Sequence, residues 1–141
     1  MGYGFPAAIA ASIERPGRPV ICLAGDGCFQ MTCNEMSTAI QHGATPVVIV
    51  ANNGRYGTIR MHQERHYPGR VSGTDLANPD FAALSRAYGG QGWTVETQDE
   101  FAPALKAAMA CGTVAVIELK LDPDMLTTGA SLSDLAAAVA R

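Results

Sequence analysis

Four short apolar runs punctuate this chain. Arg18–Gly25 (RPVICLAG), Thr45–Gly54 (TPVVIVANNG), Gln91–Glu96 (QGWTVE) and Thr113–Leu121 (TVAVIELKL) each predict a strand. Between them lie segments of helical length. CNEMSTAIQHG is closed by Gly43 as a C-cap, and NPDFAALSRAYGG starts near Asp80 and ends in glycines. QDEFAPALKAAMACG is also helical, with Pro103 tolerable only in its first turn. SLSDLAAAVAR carries Ser131 three residues ahead of Asp134, a capping pattern that predicts a terminal helix reaching Arg141. The strands are continuous apolar runs rather than alternating ones, so both faces are covered. That argues for an α/β chain of three layers, α/β/α, with a mostly parallel central sheet. Such sheets bind ligands beyond the carboxyl ends of their strands. The segment from Arg55 to Pro79 is the least regular and long for a connection, a place where function collects.

The 141 residues suit one domain, and 48% hydrophobic against 16% charged residues supports a real core. A net charge of -3 without a basic run argues against nucleic acid, and no apolar stretch is long enough to span a membrane. The start MGYGFPAAIAAS has no basic n-region, so no signal peptide is expected. Cys22, Cys28, Cys33 and Cys111 form no C-x-x-C pair and read as reduced, mostly buried thiols of a cytoplasmic protein. Opening in a glycine-rich turn suggests a fragment of a longer chain.

Two strand ends carry the candidate chemistry. GDG puts Asp26 between two glycines straight after the first run; by itself this is an ordinary turn. ANNG ends the second run, with Asn53 one strand–helix–strand unit beyond Asp26. Side by side, the two ends would present a carboxylate and an amide oxygen to one point. Oxygen ligands of this kind suit Mg²⁺, and a diphosphate would supply the further anionic oxygens.

GDG followed at this spacing by NN resembles the diphosphate-binding signature of thiamine diphosphate (ThDP) enzymes. MGYGFPAAIAA, GDGCFQMTCNEMSTAIQHG, PVVIVANNGRYGTIR and NPDFAALSRAYGGQGWTVE are similar to the C-terminal domain of the acetolactate synthase, pyruvate oxidase and benzoylformate decarboxylase group, so that residues 1–141 read as a single diphosphate-binding domain. The resemblance implies that Asp26, the Asn53 side chain and the Arg55 carbonyl ligate Mg²⁺ or Ca²⁺. Gly25, Gly27, Cys28 and Phe29 would wrap the diphosphate, largely through backbone groups. Cys28 stands where family members often carry Ser, and a thiol is the weaker donor. Gly54 and Tyr56 would close over the diphosphate, and Met1 would be the apolar residue under the thiazolium ring.

The implied reaction is decarboxylation or carboligation of a 2-oxo acid, with the cofactor carrying the hard chemistry. The activating glutamate of the family lies on a pyrimidine-binding domain, usually of a partner subunit, and no glutamate here matches it. The chain would then contribute no catalytic residue of its own. It would be silent alone and active in a homo-oligomer that includes that domain. GYGFPAA, GDGCFQMT and NPDF lean to an acetolactate-synthase-like carboligase, whereas NNGRYGTIR lies closer to the decarboxylase branch. A non-catalytic ThDP-fold assembly module is the other reading. GYGFPA also fits a dinucleotide fingerprint, but Pro6 reads as a helix-opening proline and no strand precedes it. HQERH resembles the zinc motif H-E-x-x-H with Glu64 one position late, so His62 and His66 read as a polar face or as substrate contacts. Trp93 reads as core packing. Exposed apolar surface in MGYGFPAAIAA and RYGTIRM is expected to drive self-association.

Overall fold

A computed structural model describes residues 1–127 and 129–139. They fall into two compact units, residues 1–52 with 78–120 and residues 53–77 with 121–141.

The first unit holds the sheet. Strands β1 (Ile21–Gly25), β2 (Val47–Asn52), β3 (Gln91–Val95) and β4 (Ala115–Lys120) pair in the order β1-β2-β4-β3, all parallel. Each expected strand is present. Period-two alternation sorts the side chains of β2 and β4 to two faces. Val48, Val50 and Val116 lie in one core with Phe5, Ala8 and Ile9 of α1 (Gly4–Glu14), Met36 and Ala39 of α3 (Met36–Gln41) and Phe81 of α5 (Phe81–Ala87). Val47, Ala115 and Ile117 face the other way, against Ala104 and Ala108 of α6 (Gln98–Ala110). These are the three expected layers.

α6 backs the inner part of the sheet, and the same face of β1 leaves Ile21 51% and Leu23 74% exposed. Tyr3 and Ile59 are exposed as well, in the two stretches expected to show apolar surface. The β1 surface went unforeseen, because an apolar strand reads as buried on both faces wherever it stands in the sheet.

Several local expectations hold. Asp80 caps α5, its carboxylate accepting the Ala83 amide at 2.7 Å. Gly43 follows α3 with φ +62°, the left-handed turn a C′ glycine supplies. Pro103 departs from expectation. It is the sixth residue of α6 and removes an N–H that would have bonded the Asp99 carbonyl. Both residues are exposed, so water can take up that carbonyl. The thiols are all free, but only Cys22 is buried and the other three are half-buried. Burial pushes the Cys22 thiol above its ordinary pKa. Trp93 is half-buried and packs at the margin of the α6 core. A short helix not foreseen, α2 (Asp26–Gln30), begins in the GDG turn itself.

The second unit corrects the reading of residues 55–79 as irregular. It holds a ten-residue helix, α4 (Gly57–His66), which packs against α7 (Leu132–Val139), with a small hairpin of β5 (Met125–Thr127) and β6 (Ala130–Ser131). Ser131 and Asp134 form the expected reciprocal cap, at 3.0 and 3.3 Å. The expected end of that helix, Ala140 and Arg141, lies outside the described residues. Among the described residues, no helix is long and apolar enough to cross a membrane.

Close packing of α5 on β3 depends on Gly92. A Cβ built there would lie 2.2 Å from the Ala82 carbonyl oxygen of α5. Gly92→Ala is therefore expected to cost about 1–3 kcal/mol, the range for overpacking a tight contact. Urea unfolding measures it, and an unchanged midpoint would show that α5 does not sit on Gly92.

Candidate functional site

Parallel pairing of β1 with β2, ending at Gly25↔Ala51, brings the GDG and NN turns to the same edge of the sheet. Asp26 is the first residue of α2 and 3% exposed. Its Oδ1 accepts the Gly27 amide at 2.8 Å and its Oδ2 accepts Asn78 Nδ2 at 2.7 Å. Gly25 is extended, and a Cβ built on it meets nothing within 4 Å, so there is room above the turn. Cys28 is half-buried. The Phe29 ring belongs to the core, edge-on to Phe5 at 5.2 Å and to Phe81 at 5.6 Å. Phe29 can therefore meet a ligand only through its backbone. Met1 is exposed.

The edge holds more polar groups than the motif predicts. Asn52, at the end of β2, donates Nδ2 to Glu118 Oε1 at 2.6 Å, and Lys120 Nζ donates to the same oxygen at 2.5 Å. Asn78 Nδ2 also reaches Asn52 Oδ1 at 2.7 Å, and Gln30 Nε2 donates to Asn78 Oδ1. Glu118 is fully buried, and its Oε2 has no hydrogen-bond partner among the described residues. A buried polar atom left so costs about 1–3 kcal/mol. One signal for Glu118 was in the sequence: a lone acid inside VIELK, two places from Val116 and therefore on the same face. Asn78 gave no signal, because its partners lie 26 and 52 residues away.

In the second unit, Asn53 Oδ1 accepts the Arg55 amide at 3.3 Å, a local turn closed by Gly54 at φ +68°. Residues 74–76 hold this loop: Tyr56 N–H donates to the Thr74 carbonyl and Leu76 N–H to the Gly54 carbonyl, both at 2.8 Å. That bridge pairs Arg55 with Asp75 and leaves the Arg55 carbonyl outside the ladder. Tyr56 caps α4. A Cβ on Gly54 would meet nothing within 4 Å, whereas one on Gly57 would lie 3.1 Å from Asn53 Nδ2. A side chain at 57 would make the Asn53 amide give by a few tenths of an ångström.

α4 carries the histidines. His62 and His66 are exposed and stacked, ring centroids 6.3 Å apart and planes 7° from parallel. Glu64 does not accompany them. It is buried, accepting the Gly69 amide and Arg60 Nε at 3.0 Å each. The Gly69 bond holds its carboxyl below the usual range, Arg60 adds to this and desolvation opposes it. The zinc-hydrolase arrangement is therefore absent, and no cluster of three metal-ligating side chains occurs among the described residues.

The profile described as thiamine pyrophosphate enzyme, C-terminal TPP binding domain, matches residues 1–119. The chain belongs to that family. It is 33% identical over 144 residues to a probable acetolactate synthase large subunit of Methanococcus aeolicus, covering 99% of this chain and 24% of the relative. It is 40% identical over 111 residues to the acetolactate synthase large subunit of Haemophilus influenzae, covering 78% of this chain and 19% of the relative. Among solved structures, the ThDP-dependent 4-hydroxybenzoylformate decarboxylase of Rhodococcus jostii RHA1 superposes with a TM-score of 0.81 at 34% identity, over 86% of this chain and 23% of that one. The chain thus spans no more than a quarter of the proteins it matches here. It is a ThDP-binding C-terminal domain of the acetolactate-synthase-like kind.

As a TPP-binding domain, the chain offers a donor set that fits a hard cation and a diphosphate. It has a carboxylate at Asp26, an amide oxygen at Asn53, a carbonyl outside any ladder at Arg55, and unfilled space over Gly25 and Gly54. The tight approach at Gly57 gives a test of Asn53. Gly57→Ala adds a methyl that makes the Asn53 amide give by a few tenths of an ångström. On the reading of Asn53 as a cation ligand, Mg²⁺-dependent ThDP binding is expected to weaken about tenfold, the scale on which disturbed support of a metal ligand acts. Calorimetric titration reads this, and unchanged affinity would remove Asn53 from the ligand set.

Proposed function

We propose that the chain binds Mg²⁺, or Ca²⁺ in its place, together with the diphosphate of ThDP, as one half of a 2-oxo acid decarboxylase or carboligase active site. Asp26, the Asn53 side chain and the Arg55 carbonyl would ligate the cation. Gly25, Gly27, Cys28 and Phe29 would line the diphosphate through backbone groups. Gly54 and Tyr56 would close over it, and Met1 would lie beneath the thiazolium ring. The observation that carries the reading is the parallel register Gly25↔Ala51, which sends the chain off one sheet edge into GDG and into NN. When bound, the cofactor supplies the electron sink for loss of carbon dioxide. The chain's own part is to hold cation and diphosphate.

The chemistry has a second half. The chain spans a quarter or less of its acetolactate synthase relatives, which supports a pyrimidine-binding domain elsewhere in the same enzyme, contributed within a homo-oligomer. The resemblance assigns no catalytic acid or base to this chain. Alone, it is expected to show no measurable 2-oxo acid decarboxylation with Mg²⁺ and ThDP; carbon dioxide release at an enzymatic rate would overturn the half-site reading. Carboligation is the reading that the acetolactate synthase relatives favour. The 34%-identical decarboxylase favours plain decarboxylation as the second reading. His62 and His66 are exposed on α4 and available to contact substrate in the assembled enzyme.

Thermal unfolding tests the cofactor site. Mg²⁺ plus ThDP at about 100 times its dissociation constant should add about 2.7 kcal/mol. Mg²⁺ alone or Mg²⁺ with NAD should not, and Asp26→Ala should abolish the gain. An NAD-specific shift, or a ThDP shift that survives in Asp26→Ala, would overturn the assignment.

A further inference from the structure

The polar side chains along the carboxyl edge of the sheet outnumber what a metal and a diphosphate require. Asn78 stands among them, two residues ahead of the α5 cap. Its Nδ2 carries two hydrogens and meets two acceptors, Asp26 Oδ2 and Asn52 Oδ1, each at 2.7 Å. Its Oδ1 accepts from Gln30 Nε2. The amide can satisfy all three in one orientation only. Flipped, it would set oxygen against two oxygens and nitrogen against nitrogen.

Asn52 is oriented in the same way. Its Nδ2 is committed to Glu118 Oε1 at 2.6 Å, so its Oδ1 is the atom turned to Asn78. Lys120 Nζ, at 2.5 Å from the same Glu118 oxygen, supplies the positive charge at the far end. At the near end, Asp26 accepts the Gly27 amide on Oδ1 and Asn78 on Oδ2. Two donors from different directions fix the plane of a carboxylate.

We propose that Asn78 is a positioning residue for Asp26, and that buried Glu118, paired with the half-exposed Lys120, sets the orientation of Asn78 through Asn52. This rests on the reading of Asp26 as a metal ligand. Mg²⁺ demands near-ideal octahedral geometry, so a carboxylate held in one plane binds it better than one free to turn. Loss of such a supporting partner typically costs 10–100-fold in metal affinity.

Mn²⁺ is the probe, titrated with saturating ThDP and followed by the electron paramagnetic resonance of free and bound ion. Asn78→Ala is expected to weaken Mn²⁺ binding by about 10–100-fold and to change the bound-ion spectrum, which reports ligand symmetry. Glu118→Gln should weaken it less. The double variant should bind no worse than Asn78→Ala if, as proposed, Glu118 acts on Asp26 through Asn78. Wild-type affinity and spectrum in Asn78→Ala would overturn the proposal. So would additive losses in the double variant. Should Asn78→Ala fail to fold, Gln30→Leu and Glu118→Gln carry the test, and full affinity in both overturns it. A wild-type chain that binds no Mn²⁺ with ThDP fails the underlying reading instead, and the proposal falls with it.

Discussion

The pairing of β2 with β4 in the middle of the sheet is the constraint on which the rest depends. It runs for six residues, from Val47↔Ala115 to Asn52↔Lys120. Because the strands are parallel, their chemical gradients add. The amino halves are apolar on both faces, with Val47, Val48, Ala115, Val116 and Ile117 all buried. The carboxyl ends turn polar together at Asn52, Glu118 and Lys120. A shift of one residue in this register would send Glu118 to the α6 face, against Ala104 and Ala108, where neither side chain could meet a carboxylate. Packing and site geometry are therefore decided by the same ladder.

That coupling explains how one edge of an apolar sheet tolerates a wholly buried acid. Glu118 meets one amide and one ammonium on a single oxygen, with the Lys120 side chain 45% exposed. The pair is half in water, so the attraction is screened and weak evidence for stability. A well-packed apolar residue at 118 would fold at least as readily. What it would lose is direction. An apolar neighbour accepts nothing from Asn52, and the Asn52 amide could then present either end to Asn78.

Much of the fold was legible because its signals are local. Apolar runs, the Ser131–Asp134 cap, Asp80 and Gly43 all report through residues within a few positions of one another. α4 was missed for the opposite reason. Its sequence GTIRMHQERH has a mostly polar surface and no strong apolar stripe, and part of what holds it is Glu64, bonded across the helix end to Gly69. Pro103 is tolerated beyond the first turn because the carbonyl it deprives faces solvent, where the penalty shrinks. For the site, the motif pair GDG and NN was visible, since spacing encodes strand pairing. Asn78 and Gln30 were not, since each owes its role to side-chain contacts made across the fold.

The glycines complete the argument from the other side. At Gly25 and Gly54 an added Cβ would meet nothing, so these positions keep space that the protein itself does not fill. At Gly92 an added Cβ would collide with the α5 backbone, and at Gly57 it would crowd the Asn53 amide. Gly92 serves packing, Gly57 leaves the Asn53 amide its place, and Gly54 closes a turn at φ +68°. In the turns after β1 and β2, Gly25 faces open space and Gly54 takes the positive φ that glycine adopts readily. The same two turns carry Asp26 and Asn53. Open space and the proposed cation ligands therefore belong to the segments that leave β1 and β2.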